Sequence, residues 1–498
     1  MIYWQYILIF AVFFYAGWNL FRLLRRIRRD HFQKMAVRKL LKRSRIERSR
    51  MYFNSDVLRR TIAFLLGCRS QSARRALLNM ACGKTAPAEA FLRRRGRETD
   101  ALLLEALSAA EPDKRLSPVE TAVFRLFAGD KDAAEKIIEN VPDRNLSRYA
   151  KARKRFVQGW LFLRDGDMLS ASACAAEAVS LFEREKAFVE EAQALLLSGT
   201  VYRLSCVEDV AKFMFDAAAG LFRSYGDAVG EAEAVGNCGM LWTLQEKFAE
   251  AADDFARALE LSRTAGAERL AAGLLNQQAL LNILQRRYTE ARRCLEQSEK
   301  ISRRLNSVSG LAFSAELSAH VFYARKKRDK AAAAAAKAAG YYRRDGNLAA
   351  CFESLYLQAL ALFENGETDT AEQVLRAFLP EAKKQRTSFH IAGAYNLMGL
   401  IFLRRREEEA AKVWFQEAAA LERKNDRYTA AAADYANIGL IELHQGNAEQ
   451  ARKNLQTAVA CAETFGKNSF SRCALSFIWF STDFKRCNGC TYDCNRYR

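Results

Sequence analysis

Four cysteines near the carboxyl terminus are the residues whose type and spacing come closest to a metal site. They are Cys473, Cys487, Cys490 and Cys494. Thiolates are good zinc ligands, and structural zinc sites usually hold their four ligands in two short-spaced pairs. The spacing here, C-x13-C-x2-C-x3-C, contains only one C-x2-C pair. A zinc site and a cysteine-rich tail without metal both stay open. The second is favoured, so no metal and no cofactor are predicted.

Patterns typical of catalysis are absent from the sequence. The chain has four histidines, His31, His320, His390 and His444. None of them has a partner at catalytic or metal-ligand spacing, and neither HExxH nor GxSxG occurs. The tripeptide at 83–85 ends like a phosphate-binding loop, but the required leading glycine and strand do not precede it. The sequence therefore predicts that the chain is not an enzyme and that its chemistry is recognition.

A spacing of 40 residues dominates the chain between residues 152 and 471. Small residues recur at this interval: Gly159, Gly199, Gly239, Ala279, Ala319, Ala359, Gly399 and Gly439. An alanine follows each of them after twelve positions: Ala171, Ala211, Ala251, Ala291, Ala331, Ala371, Ala411 and Ala451. Small residues on two consecutive helices let their backbones approach closely. With only five prolines and no alternating β-branched runs, the pattern predicts an all-α fold of helical hairpins.

Two segments show the pattern most clearly. They are AYNLMGLIFLRRREEEAAKVWFQEAAALE, from Ala394, and DYANIGLIELHQGNAEQARKNLQTAVACAE, from Asp434. Their small-residue anchors resemble those of the tetratricopeptide repeat (TPR), whose usual period is about 34 residues. The longer period is similar to the longer-helix subclass found in kinesin light chains. The resemblance implies a right-handed superhelical solenoid in which the first helix of each repeat lines a concave groove.

The ligand-facing positions of that family give a set of candidate groove residues. Most lie three before, one after, or four to five after the small residue of their repeat, and two asparagines lie two before it. The set is Phe156, Trp160, Arg164, Thr200, Arg203, Asn237, Asn276, Glu316, His320, Tyr323, Tyr356 and Asn437. Aromatic, amide and charged groups together suit an extended or helical peptide. The resemblance therefore implies a protein or peptide partner.

Residues 2–21 form one apolar stretch whose length matches the roughly 30 Å hydrocarbon core of a bilayer. A basic segment follows, in which residues 22–50 contain thirteen Lys or Arg against two acidic residues. Positive charge stays on the cytoplasmic side of membranes. We therefore expect an uncleaved single-pass anchor with the amino terminus outside and the repeats in the cytoplasm.

The basic segment either binds anionic lipid or only sets topology. Nucleic-acid binding is disfavoured, despite the net charge of +20, because no recognised module is present.

The sequence divides into five parts. They are an anchor (1–21), a basic juxtamembrane helix or stalk (22–60), an irregular helical cap with a degenerate repeat (61–151), eight repeats (152–471), and a capping helix with a cysteine-rich tail (472–498). We expect a membrane-anchored scaffold that recruits its partner to the membrane. The order of anchor, repeats and terminal cysteines is similar to lipopolysaccharide assembly protein B. That resemblance implies, as the alternative, a bacterial inner-membrane adaptor with a metal-binding tail that regulates a membrane protease or envelope assembly.

Overall fold

The computed structural model describes residues 2–43, 55–106, 117–127, 131–384 and 388–467. All regular secondary structure in these segments is helical. Contacts between Cα atoms divide the chain into two compact units, which meet at residues 270 and 271. The prediction of an all-α fold is confirmed for the residues that the structure describes.

The first unit begins with helices of unequal length. They are α1 (Ile2–Arg43), α2 (Ser55–Gly67), α3 (Gln71–Ala81), α4 (Ala86–Arg94), α5 (Glu98–Ala106), α6 (Pro118–Phe127) and α7 (Lys131–Glu139), followed by a 3-10 turn at Asp143–Asn145. A regular series of longer helices completes the unit. It comprises α8 (Arg148–Asp165), α9 (Met168–Glu185), α10 (Phe188–Leu204), α11 (Glu208–Tyr225), α12 (Ala228–Leu244) and α13 (Phe248–Thr264).

The second unit continues the same series. Its helices are α14 (Glu268–Leu284), whose first turn belongs to the first unit, α15 (Tyr288–Arg304), α16 (Val308–Ala324), α17 (Arg328–Asp345), α18 (Leu348–Glu364), α19 (Thr368–Lys384), α20 (Ser388–Arg404), α21 (Glu408–Lys424), α22 (Tyr428–His444) and α23 (Ala448–Lys467). From α8 to α23, each helix begins twenty residues after the one before it.

Short polar and glycine signals separate these helices. The Asp167 side chain caps α9 by accepting a hydrogen bond from the Ser170 backbone N–H at 3.0 Å. Asp227 caps α12 in the same way. The residue just before Asp167 is Gly166, whose φ of 81° lies in the left-handed region that ends a helix most easily with glycine. The chain can therefore stop one helix and start the next within two residues.

The small residues of the repeats lie against bulky residues of the same hairpin. A Cβ atom added at Gly199 on α10 would lie 2.6 Å from the ring of Phe215 on α11. At Gly399 on α20 the corresponding distance to Phe415 on α21 is 2.7 Å. Both phenylalanines are fully buried. The phenylalanine ring thus occupies the space that the missing side chain leaves between the two helices of a hairpin.

The predicted membrane anchor is wrong. None of the helices in the described segments combines the length and the apolar character that crossing a bilayer requires. Residues 2–21 do not form a separate helix, because α1 continues without a break through the basic segment to Arg43. The single-pass topology and the inner-membrane location were predicted from this anchor, so both of these predictions are also wrong.

The second half of α1 packs into the first unit. Val37 and Leu41 are buried, and the Arg38 guanidinium donates a hydrogen bond of 2.7 Å to the backbone carbonyl of Ser224 at the end of α11. The Arg38 side chain also lies against Gly226, where an added Cβ would be 2.6 Å from its Cγ. This part of the basic segment is therefore integrated into the fold by contacts with residues almost two hundred positions away.

Candidate ligand-binding site on the first helices of the repeats

Three candidate residues of the first unit have structural contacts within it. Phe156 is buried in the core of the first hairpin. The Thr200 hydroxyl donates a hydrogen bond of 2.8 Å to the Leu196 carbonyl, and the Asn237 amide donates one of 2.9 Å to the Glu233 carbonyl. Both bonds run back one turn of the same helix. These polar groups therefore already satisfy part of their hydrogen-bonding capacity without a ligand.

Three other candidates of the first unit differ in their partners. Arg164 forms ion pairs with Asp132 at 3.3 Å and with Glu135 at 2.8 Å. The Trp160 Nε1–H and the Arg203 Nε–H are buried and donate to no described residue. Burial lowers the pKa of Arg203. Trp160 and Arg203 therefore remain candidates for contact with a ligand, whereas Arg164 is engaged within the protein.

The second unit brings several candidates onto one face. Glu316, His320 and Tyr323 lie on successive turns of α16, at the i, i+4 and i+7 spacing that places side chains on the same side of a helix. Tyr356 lies on α18, which contacts α16. Glu353 lies one turn before Tyr356 on the same helix. The sequence did not single out Glu353, because it stands six positions before the small residue Ala359 and outside the offsets taken from the TPR family.

Glu316 and Glu353 are two partly buried carboxyl groups that influence each other. Burial and the nearby Glu353 charge raise the pKa of Glu316 to about 8. Burial raises the pKa of Glu353 to about 7. Glu316 accepts a hydrogen bond from the Tyr342 hydroxyl of α17, whereas Glu353 makes no hydrogen bond or ion pair with a described residue. Near neutral pH the two carboxyl groups therefore retain at least part of a proton between them.

Tyr323 is held by neighbours of its own unit. Its hydroxyl donates to the Glu364 carboxylate, and the Arg328 guanidinium lies 3.8 Å from the centre of its ring. Arg328 also forms an ion pair of 2.5 Å with Glu364. Tyr323 is only 8% exposed, so its side chain is largely engaged within the protein.

His320 and Tyr356 are partly buried beside this cluster. Burial lowers the pKa of His320 to about 4, so the imidazole is neutral at pH 7. The Tyr356 ring lies near Gly393 of α20, where an added Cβ would be 3.4 Å from the ring. Together with the carboxyl pair, these side chains form a mixed aromatic and polar surface on α16 and α18, which we call the Glu316 surface.

Polar residues thirty-eight positions apart connect neighbouring first helices. The Ser314 hydroxyl donates to Asn276 Oδ1 at 2.9 Å, and Asn396 Nδ2 donates to Asp434 at 2.5 Å. Asn276 is therefore used in a contact between repeats. Glu316 and Ser354 have the same spacing, but the Ser354 hydroxyl has no hydrogen-bond partner in the described structure. Asn437, the last candidate, is partly buried on α22.

The described residues offer no group of three or more histidine, cysteine or acidic side chains that could hold a metal ion. The eight cysteines among them are free thiols. The four cysteines of the predicted alternative zinc site, at positions 473, 487, 490 and 494, lie outside the described residues.

Comparison with solved structures identifies the fold. The chain is similar to the apo form of RapI, with a TM-score of 0.50 at 13% sequence identity, over 70% of this chain and 98% of that one. It is also similar to the apo form of the quorum sensor NprR from B. thuringiensis, with a TM-score of 0.49 at 15% identity, over 69% and 97% of the two chains. No family model and no curated protein matches the sequence. At this identity the likeness concerns the fold alone, which is a TPR-like array of helical hairpins.

The raised pKa values predict that the protein loses stability between pH 6.5 and pH 8. A carboxyl group whose pKa is higher in the folded than in the unfolded state stabilises the fold at low pH and loses this effect as the pH rises through its folded value. Glu316, Glu353 and Glu422, the last with a pKa raised to about 7 by burial, all act in this direction. The lowered pKa of His320 has the opposite sign, but its effect lies below pH 6.5.

Urea unfolding at pH 6.5 and pH 8, followed by circular dichroism, measures this loss. In the Glu316→Gln/Glu353→Gln variant, the difference in the free energy of unfolding between the two pH values should be smaller by about 2 kcal/mol, because one pKa unit corresponds to about 1.4 kcal/mol. A double variant with the same pH dependence as the wild type would show that the two carboxyl groups ionise normally in the folded protein.

Proposed function

We propose that the chain is a non-catalytic TPR-like binding protein that takes an extended segment of a partner protein or peptide on the Glu316 surface. The observation that carries the proposal is the pair of partly buried carboxyl groups, Glu316 and Glu353, on the same helices as His320 and Tyr356, with which no cation of the described residues forms an ion pair. Burying acidic groups without compensation costs free energy. Such costs are concentrated at functional sites, where a ligand supplies the missing interaction.

Two arginines of the same unit are engaged by other acidic groups. Arg328 pairs with Glu364, and Arg343 pairs with Glu381 of α19 at 2.9 Å. Among the described residues, neither Glu316 nor Glu353 has such an ion pair, which favours a ligand as their partner.

The chemistry of the surface indicates the class of partner. A tyrosine ring, a neutral imidazole and carboxyl oxygens on two neighbouring helices offer both apolar area and hydrogen-bonding groups. Peptide-binding surfaces combine these features. The proposal includes no recruitment to a membrane, since the anchor prediction on which recruitment depended is wrong.

A library of random ten-residue peptides, displayed on phage and selected on the full chain, tests the proposal. We expect the wild type to enrich a defined set of sequences. The Tyr356→Leu variant, which keeps apolar packing but removes the hydroxyl and the ring, should bind them about tenfold more weakly, a loss of about 1.4 kcal/mol. Val413→Ala, at a residue 57% exposed on a second helix, is the control that should bind them normally.

Two outcomes would contradict the proposal. One is the absence of enrichment by the wild type. The other is an enriched set that binds equally well to Tyr356→Leu. In the second case, loss of binding in Trp160→Ala would move the binding site to the first unit, where the Trp160 Nε1–H has no described partner.

A further inference from the structure

We propose that a cavity in the first unit binds the phosphate group of a small organic molecule through Arg59, Arg60 and Arg148. The cavity has a volume of about 450 Å³, and the residues that line it all belong to the described part of the first unit. Small-molecule sites usually have volumes of about 300–1,000 Å³. The cavity lies in a different unit from the Glu316 surface, so the inference goes beyond the proposed function and does not depend on peptide binding.

The amino-terminal turns of four helices contribute to the wall of the cavity. Asp56 lies in the first turn of α2, and Thr99 lies in the first turn of α5. Ser117 stands directly before α6, and Ser147 stands directly before α8. The amino-terminal end of a helix carries a partial positive charge and unpaired backbone N–H groups, both of which favour anions. The backbone around the cavity therefore favours a negatively charged ligand.

The three arginines are held side by side by two carboxylates of the wall. Asp56 Oδ1 accepts a hydrogen bond of 2.6 Å from Arg59, and Asp56 Oδ2 lies 2.9 Å from Arg60 Nε. Glu185, the last residue of α9, accepts bonds of 3.2 Å from Arg59 and 3.1 Å from Arg148 on its two oxygens. Arg59 thus shares one carboxylate with Arg60 and the other with Arg148. Each of these four carboxylate oxygens is already engaged by a guanidinium group.

The arginines keep donors that the protein does not use. Glu120, the third acidic residue of the wall, is already bound by Arg153 through both carboxylate oxygens. The Arg59 Nε–H is buried and donates to no described residue. Arg60 engages only Nε and Nη2 in ion pairs with described residues, and Arg148 engages only Nη1. Since a guanidinium group has five donors, the groups left over in the cavity are donors on cations.

The number of these donors favours phosphate over carboxylate. A phosphate monoester carries a charge of about −1.5 to −2 at neutral pH and three strong acceptor oxygens. A carboxylate carries one charge on two oxygens. Guanidinium groups bind phosphate through paired, charge-assisted hydrogen bonds. Three neighbouring guanidinium groups therefore suit a phosphate group better than they suit a carboxylate.

Two leucines give the wall an apolar part. Leu102 and Leu103 lie on α5, line the cavity and are partly buried. Apolar surface beside a few polar groups is typical of sites for small organic ligands. We therefore expect an organic phosphate, whose carbon skeleton contacts the leucines, to bind more tightly than inorganic phosphate.

Isothermal titration calorimetry of the full chain tests the inference with phenyl phosphate, inorganic phosphate and benzoate as probes. The titrations are made at neutral pH and constant ionic strength. We expect phenyl phosphate to bind about tenfold more tightly than benzoate, because it has the larger charge and one more acceptor oxygen. Inorganic phosphate should bind more weakly than phenyl phosphate, because it makes no contact with Leu102 and Leu103.

The decisive variant is Arg60→Gln/Arg148→Gln. Both arginine side chains are about half-exposed, so their ion pairs contribute little to stability. Arg59 stays in place and continues to pair with Asp56 and Glu185. We expect this variant to bind phenyl phosphate about tenfold more weakly than the wild type, or more weakly still. Circular dichroism verifies that its helices are intact.

The matched control is Arg155→Gln/Arg164→Gln. It also removes two positive charges from the first unit, at positions of α8 that lie outside the wall of the cavity. Since salt screens charges beyond about 10 Å, the control should bind phenyl phosphate within about twofold of the wild type. An equal loss of affinity in the control and in Arg60→Gln/Arg148→Gln would show that net charge alone attracts the probe, and would overturn the site.

Three further results would overturn the inference. One is the absence of saturable binding of phenyl phosphate to the wild type. Another is unchanged affinity in Arg60→Gln/Arg148→Gln. The third is tighter binding of benzoate than of phenyl phosphate, which would assign the cavity to carboxylates. Each of these results leaves the proposed peptide site on the second unit in place.

Discussion

Replacing Arg153 by leucine is expected to destabilise the first unit by about 3–5 kcal/mol, because removing one member of a buried ion pair leaves the other charge uncompensated. Arg153 lies on α8 and is 1% exposed. Its guanidinium donates to both carboxyl oxygens of Glu120 on α6, at 2.6 and 3.3 Å. Burial by itself would lower the pKa of Arg153, but the Glu120 charge raises it above its ordinary value. The pair is therefore a strong interaction within the protein.

Urea unfolding of Arg153→Leu and Arg155→Leu measures the effect against a matched control. Arg155 is on the same helix and 21% exposed, and it pairs with Asp143 and Glu177, each at 2.8 Å. Exposed pairs contribute about 1 kcal/mol or less. The double variant Arg153→Leu/Glu120→Leu should recover most of the lost stability, since it buries no lone charge. If both single variants lost the same free energy of unfolding, the buried Arg153–Glu120 pair would contribute no more stability than the more exposed pairs of Arg155.

The same buried cluster connects the amino-terminal helices to the repeats. The Tyr149 hydroxyl donates to Glu190 on α10 at 2.8 Å, and the Arg153 guanidinium lies 5.8 Å from the centre of the Tyr149 ring. The backbone N–H and the hydroxyl of Ser55, at the start of α2, also donate to Glu190, at 2.6 and 2.5 Å. Glu190 thus satisfies the free N–H at the beginning of α2, which fixes the orientation of that helix on the regular series.

The sequence could predict the helical hairpins because close packing restricts residue type locally. Gly199 and Phe215 are sixteen positions apart, and the ring fits only where the opposite helix has no side chain. A small residue recurs at this position every 40 residues and is visible as spacing. The candidate surface was predicted in part for the same reason, since Glu316, His320 and Tyr356 occupy positions defined relative to the small residues.

Contacts between distant elements could not be read from the sequence. The length of the apolar stretch at residues 2–21 suggested a membrane span. Where α1 packs, however, depends on contacts with distant residues, such as the hydrogen bond from Arg38 to Ser224, 186 positions away. Asn276 has the polarity of a ligand contact and is already engaged by Ser314. The influence of Glu353 on Glu316 depends on how α18 lies beside α16, which no local pattern specifies.

Replacing Phe415 by alanine is expected to cost about 3–5 kcal/mol in the second unit, the usual range for removing a fully buried phenylalanine. Phe415 lies on α21, packs with Ile438 and Ile441 of the next hairpin, and covers Gly399 of its own hairpin. Its removal opens a cavity at the junction of two repeats, which glycine cannot fill. Urea unfolding gives the loss, with Val413→Ala on the same helix as an exposed control that should change stability by about 0.5 kcal/mol or less.

A second pair of variants separates lost volume from lost complementarity. In two other repeats an alanine at the small position goes with a leucine at the bulky one, Ala279 with Leu295 and Ala359 with Leu375. Gly399→Ala alone places a Cβ 2.7 Å from the Phe415 ring and should cost about 1–3 kcal/mol by overpacking. Adding Phe415→Leu recreates the natural pair and should reduce the cost to about 1.5 kcal/mol or less. A wild-type stability for Gly399→Ala would show that the glycine does not set the approach of the two helices. Recovery in the double variant would show that this hairpin requires a matched pair, because the volume added at one position must be removed at the other.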